Sequence, residues 1–471
     1  MGADYALGFK SLNDETREKL TVQGDVPNWI DGSLIRNGPA KFEVGEKEFQ
    51  HWFDGLGMLR KFAFEDSEVT YSNRFLRTQA YRNSQEGKLS TGFGTSTSSN
   101  ILEKLVGFFT PDTTDNTNVN VAKVGGRFMA LTEVPVMTEF DPETLETIES
   151  VKYSSMISGH VTTAHPHYDP YENVTVNYMT RFSRTSTYKV YRHPDTSPTP
   201  ELIGSLKTDE PAYMHSFGLT DNYVILTEFP LVVNPLSFLL PGTGDKAFIE
   251  HYEWKPDLGT RFIVMSRKTG EVVADPRFDP FFCFHHVNAF ERDNEIVVDL
   301  VAFPDSSPIQ SLYLDDLRSG EVDSVDGELK RYRVDPNGFS VVAETLYSGG
   351  MTLPRTSPNS RMREYRYAYG QGAGEGPVGE FPNKLVKVDV ERGETWAWTE
   401  DGTYVGEPIF VPHPEPEKED DGVVLSVALN TEEERSELLI LDASSFEEVA
   451  RATTPHVVPF DFHGDFYPGI H

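Results

Sequence analysis

The chain has a single cysteine, Cys283. That excludes an internal disulfide and any metal site built from several thiolates. Cations are scarce as well: 42 Lys and Arg stand against 74 Asp and Glu, a formal net charge of −32. So acidic a chain excludes nucleic acid as a partner, because a phosphate backbone needs a basic surface. No stretch reaches the roughly 18 consecutive apolar residues of a membrane-spanning helix. The start, "MGADYALGFKSLNDE", lacks the basic and apolar regions of a secretory signal. The expected location is therefore the cytoplasm, and no obligate protein partner is expected. Acidity spread along the whole chain suits a protein kept soluble in high salt, which points to a halophilic source.

What the chain does have is short apolar or β-branched runs punctuated by Gly, Asp, Asn and Pro. "NKLVKVDVERGETWAWTEDG" (383 to 402) reads as strand, Arg-Gly turn, strand, Asp-Gly turn. Residues 126 to 150 and 422 to 453 repeat that rhythm. Strands at such spacing predict an all-β sandwich, barrel or propeller. With 471 residues and no linker to divide them, one domain over 1–471 is expected. Radial repetition, a propeller, is the architecture that absorbs so many short strands. No blade signature such as a Trp-Asp dipeptide recurs at a fixed period.

Three stretches break the rhythm. "NILEKLVGFF" (100 to 109) places Ile101, Leu105 and Phe109 on one helical face. "FPLVVNPLSFLLPG" (229 to 242) is apolar but interrupted by Asn234 and Pro235. "PIQSLYLDDLRSG" (308 to 320) predicts a short helix closed by glycine. The first two pack over the core or form an apolar patch for membrane contact; Leu105, Phe109, Phe238 and Leu239 are the candidates for such a patch.

None of the 13 histidines falls in a compact H-E-x-x-H motif. Several share a local setting beside aromatics at the end of an apolar run: His165 and His167 in "TTAHPHYDP", His215 in "AYMHSFGLT", His285 and His286 in "FCFHHVNAF", His463 in "VVPFDFHGDFYP". A lone histidine of this kind is usually a capping or packed residue. Four in matching frames, spread as different blades would supply them, are candidates for one metal, and neutral imidazole suits iron, copper, zinc or nickel. A ligating imidazole also needs its other N–H held, commonly by a carboxylate. Glu133 in "LTEVP" and Glu407 in "GEPIF" stand at strand ends among apolar neighbours. In a strand, adjacent side chains face opposite ways, so His285 and His286 cannot both point to one centre.

Several longer motifs carry a family likeness: "GSLIRNGPAKFE", "HWFDGLGMLRKFAF", "YSNRFLRTQAY", "TDNTNVN", "TAHPHYDP", "FHHVNAFE", "GEPIFVPHP", "EDDGVVLSV" and "FHG". In this order the chain resembles the carotenoid cleavage oxygenases, in the branch of the animal carotene oxygenases and the retinoid isomerase. The resemblance implies a seven-bladed β-propeller, a dome of loops and helices over its axis, and Fe(II) held there by His165, His215, His285 and His463. It further implies that Glu133 and Glu407 hold two of these imidazoles, with Thr352 where the family has a third glutamate. His167 and His286 are expected to be structural neighbours of the ligands. Phe53, Thr132 and Phe284 are expected along the substrate tunnel. The implied reaction splits a conjugated double bond of a carotenoid or apocarotenoid with O2 into two carbonyls, with β-carotene to retinal as the leading candidate. Thr132 replaces the lysine of stilbene-cleaving relatives, which argues against a phenolic stilbene. No cysteine near the apolar helix is available for acylation, which argues against a simple isomerase. The implied membrane contact is peripheral, through the apolar patch at the tunnel mouth. The competing readings are a propeller that binds apolar polyenes with little or no turnover, or an apocarotenoid- or stilbene-type alkene cleaver.

Overall fold

The computed structural model describes residues 4–90, 92–95, 114–152, 157–197, 199–239, 246–320, 327–338, 340–374 and 381–471. Seven antiparallel sheets are arranged as the blades of a β-propeller. Taking the sheet that contains Gly32–Lys41 as blade 1, the inner strands of blades 2 to 7 start near 120, 161, 218, 286, 352 and 409.

The predicted punctuation is present. In blade 6, Lys384–Asp389 and Thr395–Thr399 are joined through Gly393 at φ +71°, and Gly402 at φ +71° turns the chain into blade 7. Left-handed backbone is open to glycine without steric penalty. Residues 422 to 453 become three strands, Gly422–Asn430, Arg435–Asp442 and Glu448–Thr453. The first two are buried along nearly their whole length, as expected for strands covered on both faces by neighbouring blades. Tyr369 of blade 6, for instance, stacks on Phe410 of blade 7 with ring centroids 5.3 Å apart.

Both ends of the chain close the ring. The last strand, His463–Pro468, pairs with Gly32–Lys41 as the innermost strand of blade 1, with Asn37 opposite His463. Near the start, Thr21–Gly24 adds to the outer edge of blade 7 beside Glu448–Thr453. Asparagine carboxamides tie successive blades: Asn37 to the carbonyls of Thr117 and Asn120, Asn120 to Ala164, and Asn288 to Ser360 and Arg363.

Outside the blades, the helix predicted over 308 to 320 divides into Ser307–Gln310 and Leu314–Ser319, the second closed by Gly320 at φ +78°. Residues 100 to 109, with Leu105 and Phe109, lie outside the described residues. Pro235–Leu239 is a short 3-10 helix. It turns Phe238 partly inward, 5.8 Å from Phe248 and 5.7 Å from Phe182, while Leu236 is 52 % exposed. Among the described residues no helix is long and apolar enough to cross a membrane.

Candidate metal centre

Four inner edges supply the site in the same way. In blade 3 the inner strand is interrupted between Val161–Thr162 and His167–Asp169, and His165 lies in the gap. His215 precedes Gly218–Leu219 in blade 4, and His285 directly precedes His286–Arg292 in blade 5. His463 opens the closing strand of blade 1. Where the ladder stops, backbone groups need other partners, and side chains provide them. The Thr163 hydroxyl accepts from His165 N–H and donates to the His215 carbonyl. The Ser216 hydroxyl donates to the Phe284 carbonyl and accepts from His286 N–H.

The four imidazoles converge. Their ligating nitrogens all lie within 4.8 Å of one another. His165 Nε2 is 3.0 Å from His215 Nε2, and His285 Nε2 is 3.2 Å from His463 Nε2. His286 points away: its Nδ1 meets Ser216 Oγ at 2.7 Å and its Nε2 meets Thr227 Oγ1 at 2.9 Å. His167 is 2.7 Å from the Phe217 carbonyl oxygen. The strand alternation thus separates His285 from His286 as expected, while His165 and His167, two residues apart, are parted by the break in their strand.

Two carboxylates orient the cluster. Glu133 Oε1 accepts from His215 Nδ1 at 2.7 Å, and the Tyr213 hydroxyl donates to the same carboxylate. Glu407 Oε1 accepts from His463 Nδ1 and from Arg355 Nε, both at 2.8 Å; its Oε2 accepts from Arg36 Nη1 and Gly464 N–H, both at 3.1 Å. Burial alone would raise the Glu407 pKa, but Arg355, His463 and Arg36 outweigh it and hold the carboxyl well below the usual range. Arg36 is shared with Asp461, which it also meets at 2.6 Å. Burial, then the neighbouring imidazoles and Arg355, push His165 and His285 well below the ordinary histidine pKa. Gly464 is required here because a Cβ would lie 2.5 Å from the Ile35 carbonyl oxygen.

Among the described residues no carboxylate bonds His165 or His285. Thr352 opens the inner strand of blade 6 and borders the same cavity as His285. That cavity, on the dome side, is walled by Trp52, Phe53, Phe284, Phe303, Phe381 and Phe462 and floored by His215, His285 and His463. Phe53 stands 6.1 Å from the His215 ring and 6.3 Å from Phe284. Thr132, half-buried beside Glu133, is not among the lining residues. A second, more polar cavity reaches His165, His285 and His463 from the opposite end of the axis.

Arg36, Arg355, Asp461 and Tyr213 were not singled out from the sequence. "RNG", "LPR", "DFHG" and "AYMH" do carry them, but only the closed ring gives them one carboxylate or imidazole to meet.

Residues 9–468 match the family described as retinal pigment epithelial membrane protein. This chain belongs to that carotenoid cleavage oxygenase family. Among its relatives, the mitochondrial carotenoid-cleaving dioxygenase of Macaca fascicularis is 33% identical over 95% of this chain and 91% of its own. Human beta,beta-carotene 15,15'-dioxygenase is 32% identical over 98% and 94%. Cobalt-substituted Synechocystis apocarotenoid oxygenase superposes with a TM-score of 0.88 at 28% identity, over 99% of this chain and 98% of that one. The family's propeller is thus present along the full described length.

The donor set of this member fits a divalent transition metal. His215 and His463 donate Nδ1–H to carboxylates, which leaves an unprotonated Nε2 on each. A metal–imidazole bond of about 2.1 Å puts neighbouring donors at a right angle about 3.0 Å apart, matching the two contacts of 3.0 and 3.2 Å.

Proposed function

We propose that this protein is an Fe(II)-dependent dioxygenase that cleaves a conjugated carbon–carbon double bond of a carotenoid or apocarotenoid. The supporting observation is the convergence of His165, His215, His285 and His463 at the floor of an apolar cavity. These four imidazoles would hold the iron. Ferrous iron bound there would supply the redox chemistry with O2 that converts one C=C into two C=O groups, both oxygen atoms coming from O2. Glu133 and Glu407 keep His215 and His463 in the tautomer that offers Nε2. Phe53, Phe284 and their neighbours exclude water and lay the polyene against the floor of the cavity. β-Carotene to retinal is the first reaction to test, since dioxygenases acting on it are among the relatives.

The test is to load the protein anaerobically with iron, admit O2 with β-carotene or a series of apocarotenals, and identify the aldehydes by mass. A pair of aldehydes whose carbons sum to the substrate is expected. An iron-bound protein that yields none from any polyene supports the binding-only alternative instead. We also place the protein in the cytoplasm, in peripheral contact with lipid through residues 100 to 109 and 229 to 242. Leu105→Ser with Phe109→Ser should reduce partitioning onto liposomes at high salt; unchanged partitioning refutes the contact.

A further inference from the structure

The two cavities that meet the four imidazoles divide them. The dome-side cavity touches His215, His285 and His463, the polar one His165, His285 and His463. His165, half-buried, borders only the polar side. From there the polar cavity follows the inner strand of blade 1 residue by residue, from His463 to Pro468. Five steps along a strand cover about 17 Å. The cavity opens beside the exposed residues Asp31, Pro414 and Pro416. Its volume is about 760 Å³, ample for a hydrated ion whose waters occupy about 30 Å³ each.

The charged groups bordering this channel are Asp31, Lys123, Arg355, Arg361, Glu407 and Asp465. Arg355 is bonded to Glu407, next to His463. Arg361 and Asp465 form a second pair at 3.2 Å, with 37 % and 34 % of their side chains exposed. Arg361 follows the inner strand of blade 6 and Asp465 lies on that of blade 1, so the pair reaches past blade 7 across the channel. A divalent ion arriving from the dome would have to shed its water among aromatic rings, at a steep desolvation cost. The channel instead offers carboxylates, imidazoles and solvent, and the net charge of −32 draws cations to the protein.

We propose that this axial channel is the route by which a divalent metal enters and leaves the four imidazoles, gated by the Arg361–Asp465 pair, with no part taken by the dome-side cavity. The proposal rests on the reading of the four histidines as a metal centre and is independent of which polyene is cleaved. An ion pair this accessible to solvent is weak, so it parts readily and lets an ion pass.

The experiment follows cobalt(II) uptake by the metal-free protein, and its loss to excess chelator, by stopped-flow absorbance without O2. Arg361→Ala is expected to load and release cobalt about two- to fivefold faster, the worth of an exposed ion pair. Val287 borders the channel two residues along from His285. Val287→Trp should load and release cobalt at least about tenfold more slowly, since passage past a packed indole needs local opening. In each variant both rates move together, so the equilibrium affinity stays within about threefold of wild type. Saturating the dome-side cavity with an apocarotenal should leave the wild-type rates unchanged. Slower loading with the apocarotenal bound overturns the proposal while leaving the metal centre intact. So do wild-type rates in Val287→Trp, and wild-type rates in Arg361→Ala overturn the gate; the apocarotenal and Arg361→Ala arms decide even where the tryptophan disturbs folding. If wild type takes up no cobalt, the metal-centre reading falls and the route with it.

Discussion

Glu407 is the group whose removal tests the site most sharply. It is 1 % exposed and accepts four hydrogen bonds, from His463, Arg355, Arg36 and Gly464. Glu407→Gln keeps the volume but replaces one accepting oxygen with an N–H2 group that faces donors. Arg36 retains Asp461, with contacts at 2.6 to 3.0 Å. Arg355 retains the hydrogen bond to the Gly464 carbonyl and the nearby charge of Asp465, but no other hydrogen-bonded carboxylate among the described residues. Breaking one side of a buried ion pair costs about 3–5 kcal/mol. With an unfolding entropy of about 2.1 cal/mol/K per residue, 471 residues give about 1 kcal/mol per degree. The expected fall in melting temperature by calorimetry is thus about 3–5 °C. Loss of the imidazole's anchor should also weaken metal binding about 10- to 100-fold, read by chelator competition. Glu133→Gln is the control: Glu133 is 14 % exposed and holds His215 and Tyr213 but no arginine. It should weaken the metal similarly while lowering the melting temperature by only about 1–2 °C. The reasoning is refuted if Glu407→Gln melts within about 1 °C of wild type, or if the two variants lose equal stability.

Other outcomes follow from buried groups and from charge. Burial pushes the His51 pKa from 6.5 down to about 4, against a bond from its Nε2 to the Ile309 carbonyl. The unfolded chain takes up this proton below 6.5 and the folded one only near 4, so His51 favours the fold fully above pH 6.5 and loses that contribution as pH falls to 4. The window of 2.5 units at about 1.36 kcal/mol each is worth about 3 kcal/mol; urea melts of His51→Asn should show a shallower acid loss, and parallel pH profiles would refute this. The Cys283 thiol is fully buried and its pKa is raised well above the ordinary value by burial. A thiol reagent should therefore modify it only on the timescale of unfolding, and rapid labelling of the folded protein would contradict the packing. A net charge of −32 repels itself across the surface, so raising NaCl from 0.05 to about 1 M should raise the melting temperature by several degrees; salt-independent melts would count against that balance of charge.

Local patterns carried the strands, their glycine turns and the four histidines in matching aromatic frames, because β-alternation and left-handed turns are properties of adjacent residues. They also separated His285 from His286, since neighbours on a strand must face opposite ways. Which faces met was decided by closure of the ring. His463 reaches the other three only because the last strand pairs with Gly32–Lys41, and Arg36 meets Glu407 and Asp461 for the same reason. The inward turn of Phe238 and the pairing of Arg361 with Asp465 have no local signature at all. Burial and long-range partners depend on what the rest of the chain brings alongside, and that exists only once seven blades have closed on a common axis.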